Sequence, residues 1–392
     1  MVVRCEGMTP SDLIQARRPW LRDLPLQAGQ TRARTTAADA ILDRMVQAYR
    51  LATAAERDRG VVRDGPWTRI RTQHMGELIA LLTAGRREPL AEYLRELPTR
   101  PAGHGFFQGR PTLDGITRDR QQERGRLVWT MDAVCGLAES LGLLGVVCPE
   151  APPTIPVAPP AVADLVARIE QATGLPLTVP EVFAGLHGVA VGERVVHVRS
   201  ACAVYAALRI RDWLAGREGR PLADCRICEI GPGVGLVPAA LAGLGARRML
   251  LVDLPELNAI QAYFLAQALP GHALSLFGEP FDADGPTVRI VPDFEFLAGD
   301  VPHCDLIFNQ DSLPEIDLDG VGRYLDRIAR TTTYFLSINQ ETRVPVGTPL
   351  DGGFLPSLVR PPHPLRRLER MPAWCRAGYL EELFVSEAPR TP

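Results

Sequence analysis

Five residues of the sequence have the types and spacing to hold a nucleoside. In the stretch CEIGPGVGL, Glu229 stands two positions ahead of Gly231, and Gly233 and Gly235 follow at every second residue. Glycines in such a turn bring free backbone N–H groups close to a ligand, and the acid adds a hydrogen-bond acceptor beside them. Downstream, the run LLVDLPE carries Asp253, 24 positions after Glu229. A carboxylate at the end of a second strand can accept hydrogen bonds from both hydroxyls of a ribose. The dinucleotide fingerprint of hydride-transfer enzymes needs Gly or Ala at the sixth position counted from its first glycine. Counted from Gly231, that position is Leu236, so G-x-G-x-G excludes this fingerprint.

A second set of residues could handle a proton. FNQDSLPEI places Asp311 and Glu315 just past an apolar run, and SINQE places Glu341 past another. A carboxylate positioned against a hydroxyl typically adds about 10²- to 10⁴-fold by removing its proton. The plain alternative for Asp311 is a residue at the start of a helix. His104, in the glycine-flanked turn PAGHGFFQG, reads first as a solvated loop residue, and His303 precedes an apolar run at the end away from any crevice. Arg199 heads a helical stretch and could meet a ligand carboxylate. CRIC has the Cys-x-x-Cys spacing of zinc and redox sites, yet no second cysteine pair accompanies it. Residues 225 and 228 of one strand also point to opposite faces, so no metal site is expected. All 43 basic residues are arginine, which removes Schiff-base catalysis and the lysine of a phosphate-binding P-loop.

These groups need a scaffold, and the texture of the chain supplies one. From residue 225, CRICEI, RRMLLVDL, TVRIVP, CDLIFNQ and TTTYFLSIN are short apolar runs alternating with helical stretches. Runs apolar on both faces and separated by helices specify a parallel sheet covered on both sides, a doubly wound α/β fold. Upstream, residues 1–147 read as a helical region, with Ile41, Leu42, Met45, Val46 and Tyr49 at helical spacing. Residues 148–198 form a proline-rich connection followed by a helix over 161–174, and 199–392 form the α/β domain. The net charge of −3 and scattered arginines give no basic field for nucleic acid. No run of about 18 apolar residues and no apolar leader are present, so neither a membrane nor export is expected, and a cytoplasmic protein with reduced, buried thiols is.

Set in strand, turn, helix, strand and acid, the glycine turn and Asp253 resemble the S-adenosylmethionine-binding motifs of class I methyltransferases. The stretches EIGPGVGLVPAALAGLGARRMLLVDLPELNAIQAYFLAQAL, CDLIFNQDSLPEID and YFLSINQE together look like the sugar O-methyltransferase family, with the resemblance spanning roughly residues 70–345. It implies a Rossmann-like class I methyltransferase domain behind a helical region, with S-adenosyl-L-methionine as cofactor. Glu229, Gly231, Gly233 and Gly235 would take its amino-acid and ribose portions, Asp253 and Leu254 the ribose, and Asp293 the adenine amino group. Asn309 and Gln310 would lie near its methionine end, with Asp311, Glu315 and Glu341 as candidates for the base. The acceptor it implies is a hydroxyl of a saccharide or sugar-bearing metabolite, met by the helical half, which could also form a homodimer surface. A non-sugar hydroxyl or carboxylate acceptor is the second reading, and a non-catalytic interaction protein the third.

Overall fold

The computed structural model describes residues 18–33, 39–61, 66–146, 160–282, 285–299, 301–340 and 359–389. Most of the proline-rich connection and Glu341 lie outside the described residues. After strand β1 (Ala28–Gln30) come six helices: α1 (Asp39–Asp58), α2 (Pro66–His74), α3 (Gly76–Ala84), α4 (Arg87–Arg95), α5 (Gly109–Arg118) and α6 (Arg120–Ser140). The helical spacing of Ile41, Leu42, Met45, Val46 and Tyr49 puts all five in the core. Asp119 caps α6, its carboxylate accepting from the Gln121 N–H at 2.8 Å.

Helix α7 (Val162–Thr173) is followed by β2 (His187–Val191) and β3 (Arg194–Val196), which pair with β1 in a small antiparallel sheet. Sequence reading missed this sheet, because its strands come from segments more than 150 positions apart in the chain and are only three to five residues long. Helix α8 (Val198–Arg211) then leads into the main domain. His197 and Ser200 cap its start reciprocally, His197 Nδ1 accepting from the Arg199 N–H and Ser200 Oγ from the His197 N–H.

The main sheet takes in β4 (Arg226–Ile230), β5 (Arg248–Asp253), β6 (Ala273–Ser275), β7 (Thr287–Pro292), β8 (Cys304–Gln310), β9 (Thr332–Gln340), β10 (Leu365–Pro372) and β11 (Tyr379–Ser386). Helices α9 (Leu236–Gly243), α10 (Pro255–Ala268), α11 (Asp293–Ala298) and α12 (Leu318–Thr331) connect its strands. Its order is β10-β11-β9-β8-β4-β5-β7-β6. The six strands from β6 to β9 run parallel, five of them on the predicted apolar runs, with the short β6 added at the edge. At one edge β11 lies antiparallel between β9 and β10, so the sheet is mixed and mostly parallel. This order, with one antiparallel strand next to the edge, makes the domain a class I methyltransferase-like α/β fold behind a helical region.

Alternation along the strands divides the apolar residues into two cores. Ile227, Leu251 and Phe308 join a core shared with Leu78, Leu94 and Val134 of the helical region, while Cys228, Leu250 and Ile307 join the core on the other face. The helical region thus packs against one face of the sheet as part of a single continuous core. Cys225 and Cys228 fall into opposite cores, the separation expected of the CRIC pair. Among the described residues, no helix is long and apolar enough to cross a membrane.

Candidate functional site

The chain runs from β4 to β5 on one side and later returns to β8 on the other, so the strand order reverses at β4. In open α/β sheets ligands bind beyond the carboxyl ends of the strands at such a reversal. A cavity of about 240 Å³ opens there, room for a small molecule rather than one or two waters. Of the residues expected at the site, Glu229, Gly231, Gly233, Asp253, Leu254, Asp293, Gln310, Asp311 and Glu315 line it. Arg199, Phe106, Ser312 and Arg71 line it as well.

The glycine turn is forced by its surroundings. Gly231 has φ +69°, and a Cβ there would run into the Ser312 side chain. Its N–H donates to the Val252 carbonyl at 2.9 Å, locking the turn to the end of β5. Gly235, at φ +102°, starts α9 against Leu265 and does not line the cavity, so its part is to turn the chain into the helix. Asn309 is also corrected: it is fully buried beneath the turn instead of facing the cavity. Its Nδ2 donates to the Ile230 carbonyl at 2.8 Å and its Oδ1 accepts from Asn339 at 2.8 Å, so it braces the turn from below.

Asp253 is held on both oxygens. Oδ1 accepts from the Leu254 N–H at 2.8 Å, and Oδ2 from Gln261 Nε2 at 2.8 Å. The same Gln261 nitrogen donates to the Gly233 carbonyl at 3.1 Å, tying the glycine turn to the acid. Burial, with repulsion from Asp293 and Glu256, outweighs these bonds and pushes Asp253 up to about 8. Glu229 is 4% exposed, and its Oε2 has no hydrogen-bond partner among the described residues. Burial first, and the Asp253 charge second, raise its carboxyl well above the usual range. This end of the cavity therefore holds carboxylates that lack a cation, and an ammonium or a row of hydroxyls would satisfy them where a pyrophosphate would be repelled.

At the other end the charges are reversed. Asp311 is the only non-glycine among the described residues with positive φ, at +69°, a conformation aspartate tolerates better than most. Its Oδ2 accepts from Nη1 of both Arg199 and Arg376. Arg199 also donates to the Gly105 carbonyl at 2.9 Å, and Arg376 lies 3.6 Å from the Tyr379 ring centroid. Burial would raise the Asp311 carboxyl, but the two arginines prevail and hold it far below the ordinary range. So weakly basic a carboxylate is better suited to holding the two arginines than to taking a hydroxyl proton near neutral pH. Glu315, at the end of the turn Leu313–Glu315, is the remaining carboxylate of that segment facing the cavity.

The histidines stand aside. His104 packs against His74 with ring centroids 4.6 Å apart and the planes tilted by 33°, and its neighbours Gly105 and Phe106 line the cavity in its place. The backbone carbonyl of His303 accepts from Arg226 at the amino end of β4, away from the crevice. Four contributors escaped sequence reading. Gln261, two helical turns after Asp253, carried a signal in its QAYF segment, and Ser312 stood beside Asp311. Arg376 and Tyr379 belong to a charged, proline-flanked tail with no local sign of a site.

No family model matches the chain, and no curated protein matches it. Among solved structures it is similar to magnesium protoporphyrin IX methyltransferase from Synechocystis with bound SAH, at 13% identity and TM-score 0.36, covering 47% of this chain and 85% of that one. It is similar to the CcbJ methyltransferase from Streptomyces caelestis at 13% identity and TM-score 0.34, covering 47% and 90%. It is also similar to an O-methyltransferase family protein from Burkholderia thailandensis at 16% identity and TM-score 0.31, covering 48% and 59%. Likenesses this slight bear on neither cofactor nor acceptor, and the fold is read from the strand order itself.

Proposed function

We propose that this protein is an S-adenosylmethionine-dependent O-methyltransferase acting on a hydroxyl of a saccharide or sugar-bearing metabolite. The observation that carries the cofactor is the buried, unpartnered Glu229 Oε2 beside Asp253, at the ends of neighbouring strands around a glycine turn. A cationic amino acid joined to a nucleoside offers an ammonium to the first acid and ribose hydroxyls to the second. When bound, the cofactor supplies a methyl group on a sulfonium, activated for in-line transfer.

The work left to the chain is binding, orientation and proton removal. Glu229 and Asp253 fix the donor, with Asp253 itself set by Gln261 and the Leu254 N–H. Asp293, 7% exposed at the start of α11, faces the cavity where the adenine amino group would lie. Holding the reacting atoms in line can supply on the order of 7 kcal/mol of the barrier. Phe106 and the α2 residue Arg71, packed from the helical region, close the crevice against water. Glu315 takes the hydroxyl proton, and Asp311, fixed by Arg199 and Arg376, accepts hydrogen bonds that orient the acceptor. The saccharide class is supported by the DLPE, FNQDSLPE and YFLSIN resemblance.

Calorimetric titration with S-adenosylhomocysteine and with NADH tests this reading. One S-adenosylhomocysteine per chain and no NADH is the expected result; NADH binding, or no S-adenosylhomocysteine binding, overturns it.

A further inference from the structure

Helix α2 reaches the crevice from the helical region, and polar contacts fasten it there. Among its described side chains, Thr68 to His74, none is fully buried. Its C-terminal end runs into Met75, which is 1% exposed, so apolar burial anchors that end. Thr68 and Arg71 are three positions apart on one face of the helix, and both line the cavity. From there Arg71 Nε lies 2.8 Å from Glu256 Oε1. Glu256 is 1% exposed in the first turn of α10, three positions after Asp253. The pair thus joins a surface helix to the segment that carries the ribose acid, and breaking it would strand a buried charge. One turn further along α2, His74 packs against His104, beside Gly105 and Phe106 of the cavity wall.

We propose that Arg71 is a positioning residue: its ion pair with Glu256 clamps α2 over the nucleoside end of the crevice, so that donor binding and closure of α2 support each other. The pair commits the arginine's charge to Glu256, which leaves Glu229 and Asp253 to the donor. A helix held by an ion pair and a ring contact, without fully buried side chains, opens at lower free energy than the sheet beneath it. A ligand that binds only the closed form slows that opening in proportion to its excess over its dissociation constant. The inference rests on reading the crevice as a methyltransferase's, and it adds the part of the helical region in holding the donor.

The test is hydrogen–deuterium exchange of the α2 amides in the full chain, with and without saturating S-adenosylhomocysteine, beside calorimetric affinities. In the wild type the ligand should slow α2 exchange by about tenfold or more. Arg71→Gln should speed α2 exchange in the ligand-free chain and weaken S-adenosylhomocysteine roughly tenfold, and Arg71→Lys should restore part of both. Arg69→Gln, on the same helix but outside the cavity wall, should change neither. The wild-type comparison decides the matter even if Arg71→Gln fails to fold. Wild-type α2 exchange unmoved by the ligand, or wild-type affinity in Arg71→Gln, overturns the proposal. If the wild type binds no S-adenosylhomocysteine, the methyltransferase reading falls, and the clamp stands only if ligand-free α2 exchange is faster in Arg71→Gln.

Discussion

Asp253 and Asp311 are the same residue type at two ends of one cavity, and their surroundings make them opposites. Asp253 sits among Glu229, Asp293 and Glu256, and burial plus repulsion push it up to about 8. Asp311 sits between Arg199 and Arg376 and is held far below its ordinary range. The first end gathers buried acids, and at the second two arginines share one carboxylate.

The contrast can be broken in steps, beginning with the largest effect. Glu315→Gln should lower turnover by about 10²- to 10⁴-fold while leaving S-adenosylhomocysteine affinity in place, since its part is proton removal and not donor binding. Steady-state kinetics beside calorimetry would show the split. Asp253→Ala should weaken S-adenosylhomocysteine on the order of 100-fold, the loss of two hydrogen bonds to a charged group. Equal affinity in this variant would mean that the acidic end is not the donor end.

Asp311→Asn keeps a side chain that tolerates positive φ and removes only the charge. It leaves Arg199 and Arg376 facing each other and should cost about 2 kcal/mol of stability by denaturant unfolding, less than a fully buried pair because Arg199 and Asp311 are only part-buried. A further effect is in pH. With the folded value of Asp253 near 8 and the usual one at 3.8, the folded protein keeps a proton that the unfolded chain has lost across that window. Stability of the ligand-free protein should thus fall as pH rises from about 4 to about 8 and then level off. S-adenosylhomocysteine affinity should climb over the upper part of the window, as the ionised carboxylate that receives hydroxyls becomes available. Asp253→Asn should flatten the stability slope, and thermal unfolding across the range would measure it.

The donor end was far more legible in the sequence than the acceptor end, for a physical reason. A nucleoside site at the head of an α/β sheet is built from one turn and the ends of consecutive strands, so Glu229, the glycines and Asp253 lie close together in the chain. The central strands followed from apolar runs that fill both cores. The acceptor end is assembled from distant pieces: Arg199 meets Asp311 across 112 positions, and Arg376 across 65. Strands β10 and β11 were invisible because RRLERMP is charged at an exposed edge. Glu381 and Glu382 break the apolar pattern of YLEELFVS, yet they are buried against Tyr205, Arg209 and Arg367. Asn309 was placed in the correct strand and given the wrong direction, since its neighbour Gln310, not Asn309, faces the cavity.

The account turns on Glu229, the buried acid whose Oε2 has no hydrogen-bond partner among the described residues. Titrating wild type and Glu229→Gln with S-adenosylhomocysteine, side by side in one buffer, tests it most directly. The account predicts one site per chain in the wild type and affinity lower by roughly tenfold or more in the variant, the loss of a charge-assisted hydrogen bond to the amino group. Wild-type affinity in Glu229→Gln, or no binding to either protein, would contradict it.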